Sequence, residues 1–178
     1  MSTVNLMLLG VLLEKPMNAY EMKKMVENRN LKYWVKLSSP SIYKNLIKLH
    51  NGGYLDAEVV REGEMPEKTI YTINEKGRQY FMSLMRRYVE KPGYVYFDFS
   101  TCIANLHNVD NETGLRLVAE LKEQLHNALD MMASKMGDRN ERIPFNGKAV
   151  MELYQKVYRD FYDWAADFEK EFKERNGL

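Results

Sequence analysis

Cysteine is nearly absent from this 178-residue chain, where Cys102 stands alone. A single thiol closes no internal disulfide, so the fold must rest on its core, as suits a reducing cytoplasm. Long apolar runs are missing as well. No stretch reaches the ~20 residues of a membrane helix, and the N-terminus lacks the basic start and small-residue cleavage site of a signal peptide. A soluble, cytoplasmic protein with no membrane partner is expected. The three histidines, His50, His107 and His126, have no metal-ligand spacing with one another or with Cys102. There is no glycine-rich phosphate loop, nucleophile elbow or paired-histidine zinc motif. Carboxylates in the C-terminal half are scattered along helix faces. Neither an enzyme activity nor a metal or cofactor is expected. Net charge is also small, at +1, which taken alone argues against a polyanionic partner.

The charge that is present is unevenly placed. Residues 1–91 carry 15 Lys and Arg against 10 Asp and Glu, a net of +5; residues 92–178 carry 11 against 15, a net of −4. Pro92-Gly93 marks the boundary between them. We therefore expect two domains, 1–91 and 92–178, with any nucleic-acid contact made by the first.

Residues 38–73 organise the first half. Ser38 or Ser39 can cap a helix, because a hydroxyl there accepts from free backbone N–H groups. Pro40 suits its first position, and Gly52 and Gly53 suit its end. At 100° per residue Ile42, Leu46 and Leu49 share one side. Ser41, Lys44, Lys48 and Asn51 share the other, an outer face with two cations and no carboxylate. Such a face fits phosphates and base edges, although an ordinary solvated amphipathic helix would look the same. Tyr54 to Val60 reads as a strand, with Leu55, Ala57 and Val59 on one face. A polar turn over 61–67 and a return strand over Lys68–Ile73 follow, the latter with Tyr71 and Ile73 inward. Asn74 then caps another helix. Three helices, a hairpin and a helix are the order of a winged helix-turn-helix.

Three stretches resemble the PadR-like family of transcriptional regulators. Ser41-Ile-Tyr-Lys-Asn-Leu-Ile-Lys-Leu-His-Asn-Gly-Gly-Tyr-Leu55 is similar to the family's recognition helix. Met17-Asn-Ala-Tyr-Glu-Met-Lys-Lys24 resembles the start of its second helix, and 66–78 its second wing strand and the helix beyond. The resemblance spans roughly the first 80 residues. Lys44 stands where the family often has proline, and Met65 where many members have a wing arginine. Glu62, Glu64 and Glu67 make this wing acidic. The resemblance implies a regulator, with repression the expected outcome, whose homodimer places two recognition helices in successive major grooves of a near-palindromic operator. The expected contacts with double-stranded DNA are Ser39, Ser41, Tyr43, Lys44 and Lys48, with Arg61 and Lys68 at the wing base. The family likeness itself points to Tyr43.

Elsewhere, Thr3–Leu13 is apolar nearly all round and needs cover on both sides; the C-terminal helices are the expected second cover. Asn18 and Glu21 form a capping box for a second helix, with Tyr20, Met22 and Met25 as its apolar contacts. The fourth helix, 74–90, presents Tyr80, Phe81, Leu84, Met85 and Tyr88. Beyond the boundary, an aromatic run at 94–99 opens a short helix through about Leu106. Asp110 caps a long helix carrying Val118, Leu121, Leu125, Leu129, Met132 and Met136. A second long helix, about 146–175, carries Val150, Tyr154, Val157, Phe161, Ala165, Phe168 and Phe172. A helix of about thirty residues runs roughly 45 Å, and Tyr158, Tyr162 and Trp164 widen its stripe. An antiparallel helical pair with a wide apolar face is expected to bury that face in a homodimer. The fold class is thus mainly α with a small β-hairpin wing: a winged helix-turn-helix plus a helical dimerisation domain. Some relatives release DNA on binding small aromatic or lipophilic effectors, which implies an effector site among Trp34, Tyr94, Tyr96, Phe97, Phe99 and Trp164. The favoured reading of these aromatics is nonetheless core and dimer interface. A second function class also stays open: a winged-helix protein-interaction module that does not bind DNA, favoured by the acidic wing.

Overall fold

The structure is a computed structural model that describes residues 3–29, 31, 35, 37–61, 67–137 and 144–178, with side chains of 135–137 excepted. The expectations for Tyr33, Trp34, Glu62, Glu64, Met65 and the Met136 side chain lie outside the described residues. The chain divides into two compact units, Met1–Tyr94 and Val95–Leu178.

In the first unit, α1 (Thr3–Leu12), β1 (Met17–Asn18), α2 (Ala19–Asn28) and α3 (Ser39–Asn51) come before β2 (Leu55–Val60) and β3 (Lys68–Ile73), and α4 (Glu75–Glu90) follows. β1 was not foreseen, since two residues are too short to show a period. It pairs antiparallel with β3, Met17 opposite Tyr71, so the sheet has three strands in the order β1-β3-β2. The capping box is present in both directions: the Asn18 side chain accepts from the Glu21 N–H and the Glu21 carboxylate from the Asn18 N–H, each at 2.9 Å. Leu8, Leu9, Met17, Met22, Ile42, Leu46, Leu49, Leu55 and Leu84 are wholly buried in one core. Leu6 and Met7 of α1 and Leu13 just beyond it, all partly buried, pack against that core, as do Tyr80, Phe81 and Tyr88 of α4. Within the same unit, Phe81 of α4 stands 3.5 Å from where a Cβ at Gly10 of α1 would lie.

Some apolar residues expected inward lie outward. Tyr20 is 56% exposed, with the Lys24 ammonium 4.7 Å from its ring centre; the buried residues of α2 are Met22 and Val26. Met85 is exposed on α4. On β2 only Leu55 is buried, while Ala57 and Val59 are exposed. The hairpin runs beyond the small core, so alternation marks the sheet face but not how far the core extends along it.

The second unit contains α5 (Asp98–Ala104), a 3-10 turn at Leu106–Asn108, and two long helices, α6 (Asn111–Gly137) and α7 (Phe145–Asn176). The Asp110 carboxylate accepts from the Thr113 N–H at 2.8 Å at the start of α6. The two helices run antiparallel, as cross-helix neighbours show: Gly114 under Phe172, Lys122 with Glu169, His126 near Tyr162. Val118, Leu125, Leu129 and Ala165 are buried between them. Within this unit the rest of the α7 stripe is at most half-buried, with Leu153, Tyr154 and Trp164 exposed. Among the described residues Glu169 is the buried charged group, held by Lys122 of α6 and by Lys173 at 2.8 Å.

Two outcomes follow. A Cβ at Gly77 would sit on the Tyr54 carbonyl and 2.8 Å from Ile73. Alanine in a helix ordinarily gains about 1 kcal/mol over glycine, yet here overpacking should make Gly77→Ala lose about 1–3 kcal/mol in denaturant unfolding; a stabilised variant would show the contact to be soft. The lysine hydrogen bonds hold the Glu169 carboxyl below its ordinary range. A lowered folded-state value gives stability that is complete above the unfolded value of about 4.3 and is lost as pH falls through the folded one. Glu169→Gln should therefore lower the melting temperature at pH 7, with the gap to wild type closing below about pH 4. A gap independent of pH would remove the ion pair from the account.

Candidate nucleic-acid interface

The candidate interface begins with how the ends of α3 are fixed. Ser38 is extended (φ −114°, ψ 155°), and its hydroxyl accepts from the Ser41 N–H at 3.3 Å. Pro40 is the second helical residue, one place later than expected, where its missing N–H is equally harmless. At the other end Gly53 adopts φ 73°, which a side chain would strain. Its N–H reaches the His50 carbonyl (2.8 Å) and that of Tyr54 reaches Leu49 (2.9 Å), the paired bonds of a Schellman cap. The chain thereby turns directly into β2. The His50 ring nitrogen Nδ1 donates to the Leu55 carbonyl at 2.9 Å and ties the helix to that strand.

Between these caps α3 has two distinct sides. Ile42, Leu46 and Leu49 are no more than 2% exposed. Tyr43, Lys44, Ile47, Lys48 and Asn51 are exposed, and Ser39 and Ser41 are half-buried. The Asn45 amide donates to the Ser41 carbonyl (2.7 Å) and hydroxyl (3.2 Å), which leaves the Ser41 hydroxyl hydrogen to donate elsewhere. No carboxylate lies anywhere on α3. Ile47 was not among the expected contacts, although its position 60° from Lys44 on the helical wheel puts it on the same outer arc. It is 52% exposed, an apolar group among cations.

The wing has the opposite character. Asp56, Glu58 and Glu67 are exposed beside the exposed Arg61 and the half-buried Lys68, which pairs with Val60 across the strands. In sequence, residues 55–70 hold Asp56, Glu58, Glu62, Glu64 and Glu67 against Arg61 and Lys68, half of all the carboxylates in residues 1–91. The first unit without this hairpin is strongly basic.

The aromatics considered for an effector fall in both units. Tyr94 belongs to the first unit and is exposed; Tyr96 is exposed in the second. Phe97, Phe99 and Trp164 come together with Phe161, Ser100, Ile103 and Ala104 around an open apolar cavity of about 410 Å³. Phe161 makes edge contacts to Phe97 and Phe99, with ring centres 4.4 and 5.4 Å apart. The Ser100 hydroxyl is already committed to the Phe97 carbonyl at 2.7 Å. Phe161, Ile103 and Ala104 could have been added from sequence only by knowing that α5 lies over α7. Among the described residues no group of acidic, histidine or cysteine side chains has the arrangement of a metal site, and no helix is long and apolar enough to cross a membrane.

Comparison with known proteins bears on both units. The structure is similar to PadR of Bacillus subtilis solved with operator DNA, at 16% identity, 94% of this chain and 98% of that one, and a TM-score of 0.78. The same protein solved with p-coumaric acid gives 14%, 96%, 95% and 0.77. It is also similar to the PadR-like regulator BC1756 of Bacillus cereus (21% identity, 97% and 99% covered, TM-score 0.74). The virulence activator AphA of Vibrio cholerae gives 16%, 97%, 99% and 0.71. At these identities the likeness establishes the fold, a mainly helical winged-helix protein with a small antiparallel sheet. A search of curated protein sequences found no significant match. The family model described as Transcriptional regulator PadR-like family matches residues 8–83, the segment that holds α2, α3, the wing and most of α4. This chain carries, over residues 8–83, a domain of the PadR-like family of transcriptional regulators.

Proposed function

We propose that this protein is a sequence-specific DNA-binding regulator that acts as a homodimer on a near-palindromic operator, through the 1–91 domain, with 92–178 as the dimerisation and effector domain. The observation that carries this reading is the outer arc of α3: cationic, free of carboxylate, and fixed at both ends by caps. Lys44 and Lys48 neutralise phosphates, Ser39, Ser41 and Tyr43 supply hydroxyls to phosphates or base edges, and Ile47 meets a thymine methyl. Arg61 and Lys68 reach the backbone from the wing base. Dimerisation is supported by the apolar face of α7, where Leu153 and Tyr154 are exposed within the unit. Repression is the outcome we favour, since a bound dimer blocks a promoter by occupancy alone, whereas activation needs a further contact. The cavity at Phe97, Phe99, Phe161 and Trp164 is our candidate effector site, suited to a small aromatic or lipophilic compound, its walls being aromatic and aliphatic apart from Ser100. We place the protein in the cytoplasm. The carboxylates of the wing favour a second reading, a docking module for a basic protein, and salt-dependent DNA binding separates the two.

Three results are expected. Lys44→Ala and Lys48→Ala should each reduce the slope of log affinity against log salt by about one unit, while Ile47→Ala should weaken discrimination between operator and random duplex with the slope unchanged. Equal slopes in wild type and both lysine variants would take α3 out of the interface. If the wing approaches DNA, Glu58→Gln with Glu67→Gln should raise affinity, most at low salt, because two like charges near the phosphates are removed; weaker binding would mean that these carboxylates accept hydrogen bonds from the DNA. Titration with a phenolic compound should change tryptophan emission and lower operator affinity, and Trp164→Phe should abolish the emission change. Emission and affinity both unmoved across a panel of aromatic compounds would reject the effector site.

A further inference from the structure

The first residues of α4 do more than begin a helix. The Asn74 side-chain oxygen caps α4 by accepting from the Gly77 N–H at 3.0 Å. Its amide nitrogen donates to the Gly53 carbonyl (3.2 Å) and the Asp56 carboxylate (3.1 Å). Two residues on, the Lys76 ammonium donates to the Gly52 carbonyl at 2.9 Å and stands 5.0 Å from the centre of the Tyr54 ring. That ring stacks on Tyr80 of α4, with centres 4.3 Å apart. Gly52 and Gly53 form the C-terminal cap of α3, and Asp56 lies at the base of the wing. Two side chains thus tie three elements: the last turn of α3, the first of β2 and the first of α4. The ammonium also lies at the negative end of the α3 dipole, where a cation is favoured.

We propose that Asn74 and Lys76 are positioning residues for DNA recognition, which set the angle of α3 and the wing to one another without touching base edges. The proposal rests on the DNA-binding reading above. Base-edge hydrogen bonds require placement within about 0.5 Å, whereas attraction to phosphates is indifferent to small tilts of the helix. Loosening the junction therefore weakens operator binding and leaves binding to random-sequence DNA intact. A residue needed only for folding would weaken both in proportion to the folded fraction, and a phosphate contact would weaken both with a smaller salt slope.

The test uses the full chain, an operator duplex obtained by selection and a random-sequence duplex, at two salt concentrations. Asn74→Ser keeps an oxygen to cap α4 but removes the amide donor. Lys76→Met keeps the stem and removes the charge, and Lys76→Arg restores a donor. The expected result for Asn74→Ser and Lys76→Met is about a tenfold loss of operator affinity, unchanged affinity for random DNA, an unchanged salt slope and recovery in Lys76→Arg. Melting temperature is followed alongside; should Asn74→Ser unfold, the exposed Lys76 position carries the test. Equal losses on both duplexes, or no loss on either, would overturn the proposal. A wild type that shows no operator preference would instead overturn the DNA-binding reading beneath it, and a wild-type preference that both variants match defeats the positioning role alone.

Discussion

Burial of Ile42, Leu46 and Leu49 is the constraint on which the first unit depends. Each aliphatic side chain taken from water contributes about 1.5–3 kcal/mol, enough together to fix the rotation of α3 about its axis. Once those three face the core, the 100° step per residue leaves Lys44, Ile47, Lys48 and Asn51 outward. The caps then fix the helix along its length. Ser38 starts it, and Gly53, in a conformation that a side chain would strain, turns it into β2 within three residues. Orientation comes from the apolar side and placement from the two ends, which together set where the exposed arc lies.

Charge is distributed on the same plan. The α3 surface lacks carboxylates, while the adjoining hairpin gathers half of those in residues 1–91. The two features lie only a few residues apart in sequence, yet they would act oppositely on a phosphate backbone. A net charge close to zero conceals this arrangement. In the second unit Glu169, the one buried charged side chain among the described residues, pairs across the helices with Lys122 and along α7 with Lys173.

Much of this was legible in the sequence because it follows from local rules. The α2 capping box, the Ser38 cap, the glycine stop and the period of α3 each depend on neighbours within one or two turns, and each appears in the structure. What escaped depended on distance in the fold. β1 exists only because β3 offers it a partner. Val59 alternates as a buried strand residue should, but the core does not extend that far along the hairpin. Tyr20 has the ring of a core residue and lies at the surface. At the candidate sites, the lysines of α3 could be read from the helical wheel, and so could Ile47, although an apolar residue does not announce itself as a contact. Phe161 joins Phe97 and Phe99 only through the packing of α5 on α7, which no local pattern encodes.

The central claim is that the cationic arc of α3 reads a specific DNA sequence, and that two copies read it together. Selection from a random double-stranded DNA pool, followed by titration of the enriched duplex at two salt concentrations, tests it most directly. The account predicts an enriched inverted repeat bound with steep salt dependence. Recovery of no common sequence by folded protein, or binding indifferent to salt, would contradict it.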